Sequence, residues 1–322
     1  MWPPPPRRSS PAGWTSASGR PRPPRPRIRT PSRRRPPTEG TSDTCVRPRP
    51  AGSIGAVVTV SPTSAESLDT GTPARPPPGS VGYGFKRALL ANGLSVIAEV
   101  KRRSPSAGNL NADADAVELA RQYRDGGAAC LSVLTDGPRF GGSPEDLQQA
   151  RAATGIPVLR KDFLTTLEHV RESSAMGADA MLVIVDDVDP SLLRPMHELA
   201  LELGLDVLTE IRTEPELDVA VDAGAYMIAV NQRSQPKDTR FTVDYNKAVE
   251  MGPRFAQLDP GIVTVAASGI GVEGGTAMGD IVEAGYDAAL IGEALVTAAD
   301  PTARIQELLA DAEQASAVRR SR

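Results

Sequence analysis

Cysteine and histidine are scarce in the 322-residue chain, with two of each. Cys45 and Cys130 stand far apart with no CxxC and no Cys/His spacing, which excludes a disulfide framework and gives no zinc signature. His169 and His197 fall inside helical patterns, away from any strand end, so a histidine-based nucleophilic triad is not expected. No His or carboxylate cluster shows ligand spacing, so no catalytic metal is expected either. Long apolar runs are also missing: nothing approaches the ~20 residues of a membrane span, and no apolar segment follows the early arginines as in a secretory leader. These absences point to a soluble protein of a reducing cytoplasm, without a membrane partner.

What the chain has in excess is unevenly placed. The net charge is -4, yet residues 1 to 50 hold 12 Arg, no Lys and 2 acidic residues, a charge of +10 that leaves -14 for the rest. Of the 30 prolines, 19 lie in residues 1 to 80, among Arg, Ser, Thr and Gly. That composition is too poor in apolar residues to offset the entropy of ordering, so residues 1–80 are expected to form a disordered Pro/Arg-rich extension and 81–322 the folded domain. Runs such as "RPRPPRPRIRT" carry no aromatic platform and no amphipathic spacing, so nucleic acid is not expected as a partner.

From Ser95 onward, short β-branched runs alternate with helical patterns eight times. The strands are expected to end at Lys101, Asp136, Phe163, Asp186, Ile211, Asn231, Gly269 and Ala294, with amphipathic segments such as Ala114 to Asp125, Pro144 to Thr154 and Ser191 to Leu203 between them. Ser143, Asp189 and Asp300 each precede a proline and read as helix N-caps. Glycines in "MGADA", "LGLDV", "DAGAY" and "EAGYDAA" stand where a helix turns into the next strand. Eight such units over roughly 220 residues predict an α/β fold, a (βα)8 TIM barrel, where a doubly wound sheet would have five or six strands.

A barrel of this kind does its chemistry at the C-terminal ends of the strands, so polar residues there are the candidates. Glu99 and Lys101 close strand one, Lys161 and Asp162 strand three, Glu210 strand five, Asn231 and Arg233 strand six, and Ser268 and Gly269 strand seven. Any one of them is explained as a rim charge or a structural ion pair; together, inward-pointing lysines, glutamates, an asparagine and an arginine define an anion-binding mouth. Lys and Glu would have to supply the acid and base, since His does not. "ASGIG" after strand seven and "LIGEAL" after strand eight are glycine turns in the two loops that commonly hold phosphate in such barrels, and Ser104 and Ser106 offer hydroxyls from the first loop.

The ordered set "VIAEVKRRSPSAG", "LSVLTDGPRFGGSPEDL", "PVLRKDF", "GADAMLVIV", "LGLDVLTEI", "VNQR", "ASGI" and "ALIGEAL", spread from about Phe85 to Leu309, resembles the indole-3-glycerol-phosphate synthase family. The resemblance implies a lyase of tryptophan biosynthesis that needs no cofactor. It converts 1-(2-carboxyphenylamino)-1-deoxyribulose 5-phosphate into indole-3-glycerol phosphate, carbon dioxide and water. Carried over motif by motif, it implies Lys161 as first general acid, Glu210 as general base and Lys101 on the substrate carboxylate, with Glu99 orienting Lys101. It places Asn231, Arg233 and Ser268 on the substrate, Phe163 against its aryl ring, and Ser106, Gly269, Gly292 and the Glu293 backbone around the phosphate. The partner implied is a small phosphorylated molecule, bound by a monomer or weak homo-oligomer.

The chain departs from the family in three places. Ala267 stands where a glutamate usually precedes the strand-seven serine, the sixth-strand loop reads "NQRSQ" in place of "NNRDL" or "NARNL", and the segment before "GFKRALLANG" does not read as the helix that covers the mouth. At this level a working synthase and a non-catalytic or regulatory paralogue that holds the phosphorylated ligand without turnover both stand, with a different phosphosugar lyase or isomerase behind them. Intact Lys101, Lys161 and Glu210 favour the first.

Overall fold

The computed structural model describes residues 84–91, 93–105, 108–234 and 242–322. The proposed extension over 1–80, Ser106, and the part of the sixth-strand loop from 235 to 241 lie outside the described residues. The described residues fall within one compact unit, Ser67–Arg322.

A short helix α1 (Gly84–Leu89) leads into β1 (Ser95–Val100), and seven further strands follow: β2 (Cys130–Leu134), β3 (Val158–Lys161), β4 (Ala180–Ile184), β5 (Asp206–Ile211), β6 (Met227–Asn231), β7 (Val263–Ala267) and β8 (Ala288–Ile291). All neighbouring pairs are parallel, and the sheet closes by pairing β1 with both β2 and β8. The helices between them are α2 (Ala116–Asp125), α3 (Pro144–Thr154), α4 (Leu167–Met176), α5 (Pro190–Glu202), α6 (Glu214–Ala223), α7 (Lys247–Phe255), α8 (Met278–Ala284) and α9 (Pro301–Arg320). The eightfold alternation read from the sequence is therefore a closed (βα)8 barrel.

The expected caps are in place. Ser143 accepts the Asp146 N–H, Asp189 the Ser191 N–H and Asp300 the Ala303 N–H, each with proline in the first turn. The strands, however, stop earlier than expected in six units, by one residue at Lys101 and by three at Ala294. The backbone leaves the ladder there for a physical reason: a 3-10 turn starts at Val185, Ser268 and Gly269 adopt φ of 72° and 70°, and Gly292 opens a short helix, Glu293–Val296. Lys101, Phe163, Ser268, Gly269 and Gly292 therefore sit on the first loop residues above the sheet.

Side-chain alternation sorts the barrel into two cores. Val96, Ala98 and Val100 of β1 face the helices, whereas Ile97 joins Leu159, Leu182, Leu208, Ala229, Val265 and Leu290 in an inner cluster. Phe85 and Leu89, one turn apart on α1, are fully buried in that inner cluster and plug the N-terminal end. Continuing the inward rows two residues upward from Ile97, Leu159, Leu208 and Ala229 gives Glu99, Lys161, Glu210 and Asn231. The alternation that fills the barrel thus aims its polar residues into the open end.

Candidate active site

Glu99, Lys101, Ser104, Lys161, Phe163, Glu210, Asn231, Arg233, Ala267, Ser268, Gly269, Gly292 and Glu293 all line one cavity at the C-terminal mouth. The sequence-expected residues that are described come together there, with one exception. Asp162 follows Lys161 and so points away from the mouth, where its carboxylate accepts from Thr135 Oγ1 at 2.6 Å and pairs with Arg160 at 3.5 Å. It is not the partner of Lys161.

The mouth holds two charged clusters. On the β1 side, Lys101 Nζ lies 2.6 Å from Glu99 Oε1, and Glu99 is 5% exposed. Burial alone would raise the Glu99 pKa, but the Lys101 ammonium, with Lys161 and Arg233 behind it, outweighs that and holds the carboxyl below its ordinary range. Gly292 at the end of β8 packs on this pair: a Cβ there would overlap the Glu99 carboxylate and lie 2.7 Å from Lys101 Nζ. Read from the sequence as a phosphate contact, Gly292 also has a steric duty, since any side chain would push the ion pair off the barrel wall.

The second cluster spans β3 to β7. Glu210, 2% exposed, accepts at Oε1 from Asn231 Nδ2 at 2.7 Å and from Arg212 Nη2 at 3.0 Å, while its Oε2 stands 3.7 Å from Lys161 Nζ. Ser268 Oγ donates to Asn231 Oδ1 at 2.8 Å, and the same oxygen accepts the Arg233 N–H at 2.9 Å. Ser268 makes this bond from a left-handed conformation that costs an L-residue about 1–2 kcal/mol. Strain of this sort gathers at functional sites, and here its product is a hydrogen-bonded row, Ser268 to Asn231 to Glu210. On the rim, Arg233 Nη2 lies 4.0 Å from Glu293 Oε2.

Three contributors were not expected from the sequence. Arg212, two residues past Glu210 on the same inward row, packs its guanidinium against the carboxylate. Arg139 lays its guanidinium over the Phe163 ring at 3.7 Å from the centroid, with Phe140 at 6.3 Å on the same aromatic patch, while Asp136 holds Arg139 Nε at 2.9 Å. Gln232, wholly buried, donates through Nε2 to Ser268 O at 2.8 Å and Thr276 Oγ1 at 2.9 Å and accepts the Ala248 N–H at Oε1. That accounts for glutamine in "NQR": its amide ties the loops after β6 and β7 to α7.

Ala267 ends β7 beside Asn231 and Leu290, buried and facing inward. It brings no carboxylate, and the described partner of Lys101 is Glu99. The two histidines stay out of the mouth. His197 is buried behind β5 against Thr209 Oγ1, its pKa pushed down to about 4 by burial and then by Arg194, and His169 Nδ1 accepts the Thr165 N–H. Among the described residues no group of three or more His, Cys, Asp or Glu is placed to hold a metal ion, and no helix is long and apolar enough to cross a membrane.

Barrel and mouth together define a (βα)8 protein whose paired ammonium and carboxylate groups line one cavity at the C-terminal ends of the strands. The family model described as indole-3-glycerol phosphate synthase matches residues 67–308, and the chain belongs to that family. It is 43% identical over 226 residues to the indole-3-glycerol phosphate synthase of Mycolicibacterium vanbaalenii, covering 69% of this chain and 79% of that one. It is 44% identical over 216 residues to that of Syntrophobacter fumaroxidans, covering 67% and 78%. A solved structure, 3-hexulose-6-phosphate synthase from Salmonella typhimurium, superposes with a TM-score of 0.55 at 16% identity over 69% of this chain and 100% of that one, a likeness of fold alone.

Proposed function

We propose that the chain is a working indole-3-glycerol phosphate synthase, a carbon–carbon lyase of tryptophan biosynthesis whose catalytic unit is residues 81–322. The observation that carries this reading is the meeting of Lys161 and Glu210 across the barrel, in one mouth with the Glu99–Lys101 pair.

The chemistry follows from what each group can give or take. The substrate bears a carboxylate on its aryl ring and a phosphate at the far end of its ribulose chain. Lys161 donates a proton to the ribulose carbonyl oxygen as the aryl carbon that bears the carboxylate attacks the carbonyl carbon. The carbon–carbon bond to the carboxylate then breaks, carbon dioxide leaves, and its bonding pair returns to the ring. Glu210 takes a proton from the cyclised intermediate and Lys101 gives one to the departing hydroxyl, so water leaves and the indole is complete. Glu99 accepts from the substrate hydroxyls and holds Lys101 in place.

The binding roles are those the family resemblance implies for these residues. Arg233 and Lys101 face the aryl carboxylate, Asn231 and Ser268 hold the ring portion in register, and the Phe163 ring packs against it. Ser106, Gly269, Gly292 and the Glu293 backbone surround the phosphate. The reaction needs no metal and no cofactor. It runs in the cytoplasm, in a monomer or weak homo-oligomer, without nucleic acid or membrane.

Purified protein given 1-(2-carboxyphenylamino)-1-deoxyribulose 5-phosphate should develop indole fluorescence as carbon dioxide is released. Ligand binding without fluorescence would replace this reading with that of a non-catalytic ligand-binding relative.

A further inference from the structure

Arg212 is an expensive residue to place where it stands. Its side chain is 12% exposed, and Nε and Nη1 are buried without a hydrogen-bond partner, so only Nη2 recovers any of the cost of removing a guanidinium from water. Its backbone is pinned just as firmly. Glu216 in the first turn of α6 accepts the Arg212 N–H at 2.8 Å through Oε2 and the Thr213 hydroxyl at 3.1 Å through Oε1. A half-satisfied buried cation, held rigidly, is a poor way to stabilise a barrel, and such violations of packing logic gather at functional sites.

What Arg212 does touch is Glu210. Its Nη2 and Asn231 Nδ2 both donate to the same oxygen, Oε1, at 3.0 and 2.7 Å, whereas Oε2 faces Lys161 at 3.7 Å, longer than a hydrogen bond. The carboxylate is therefore asymmetric: one oxygen is occupied by two fixed donors and the other faces the Lys161 ammonium, both residues lining the cavity.

We infer that Arg212 is a positioning residue that, with Asn231, locks Glu210 Oε1 and makes Oε2 the oxygen that accepts the proton. This inference rests on the role of Glu210 proposed above. Asn231 alone leaves the carboxylate free to turn about its last torsion, exchanging the two oxygens. Arg212, approaching from the next level of the same strand, removes that freedom, and its charge and backbone anchor keep the locked arrangement.

Arg212→Met keeps the volume and removes the donor. The expected result is a kcat at least about tenfold lower with KM within about threefold, since misplacement of a proton acceptor by a fraction of an ångström acts on the chemical step. Its Tm should stay within a few degrees of the parent protein, because the Glu210 carboxylate keeps Asn231 and Lys161 while the incompletely paired guanidinium leaves the core. Arg212→Lys, which keeps a charged donor within reach of Oε1, should recover most of the lost kcat. An unchanged kcat in Arg212→Met would overturn the inference, as would a rise in KM alone, which would make Arg212 a ligand contact. A Met variant that is less stable or fails to fold, with a Lys variant no more active, would make the guanidinium structural and overturn it too. Parent protein without turnover would overturn both this inference and the proposed function; active parent protein with an unaffected Met variant would overturn this inference alone.

Discussion

Asp206 and Glu210 lie four residues apart on the same inward row of β5, both buried, at opposite ends of the barrel. At the floor, Asp206 Oδ2 accepts the N–H groups of Phe85 and Lys86 at 2.9 and 3.0 Å, and Oδ1 accepts the Tyr226 hydroxyl at 3.0 Å. Its donors belong largely to backbone, they satisfy orphan amides at the start of α1, and they hold the Phe85 and Leu89 plug in place. At the mouth, Glu210 is bound by side chains, two of them cationic, and one oxygen faces Lys161 beyond hydrogen-bond distance. Burial of a carboxylate thus does not by itself mark chemistry; in the function proposed here, the kind of donor and the oxygen facing Lys161 do. Barrels divide labour in this way, with stability at the N-terminal face and catalysis at the C-terminal face.

Changes at the two ends should therefore have opposite signatures. The largest effect is expected at the mouth: Lys161→Ala should lower kcat by about 10³-fold or more while leaving the unfolding temperature within a few degrees, since the loss of a general acid touches no core packing. Steady-state turnover beside a thermal melt checks this, and retention of the full rate would remove Lys161 from the acid role. At the floor, Phe85→Ala empties the plug, and deletion of a fully buried phenylalanine costs about 3–5 kcal/mol, roughly 10 °C or more in a domain of this size. Its kcat at 25 °C should stay within about twofold of the parent. A variant that melts normally but turns over slowly would show that the plug shapes the mouth and blur the division.

The fold was legible because the inward and outward rows of a closed parallel barrel carry nearly continuous apolar runs, and caps such as Ser143 and Asp300 punctuate them. The core of the site was legible for a related reason. Glu99, Lys161 and Glu210 interrupt apolar strands, where a charge is conspicuous, and the family resemblance gave them roles. Arg212 was not, because "EIRTEPE" reads as the start of an ordinary charged loop, and only the alternation past Ile211 puts it inward beside Glu210. Asp206 opens "DVLTEI" at a position where a polar turn residue is unremarkable, so its contact with α1, 120 residues away, left no local trace. The strand ends were overread because the left-handed turn at Ser268, tied to Gln232 and Asn231, and the break at Gly292, packed on Glu99 and Lys101, involve tertiary contacts that β-propensity does not register.

The central claim, that one strand carries a structural carboxylate and a catalytic one, is tested most directly by measuring kcat and Tm for Asp206→Asn and Glu210→Gln side by side. Glu210→Gln should lose about 10²- to 10⁴-fold in kcat, a loss that persists at 25 °C where the variant is fully folded, even though Arg212 and Lys161 lose their charged partner and Tm falls. Asp206→Asn should keep its kcat at 25 °C within about twofold and lose about 2 kcal/mol or more, roughly 4–8 °C in Tm, through the broken hydrogen bonds to α1. Full turnover in Glu210→Gln, or an Asp206→Asn variant that melts like the parent but has lost its rate, would contradict the account.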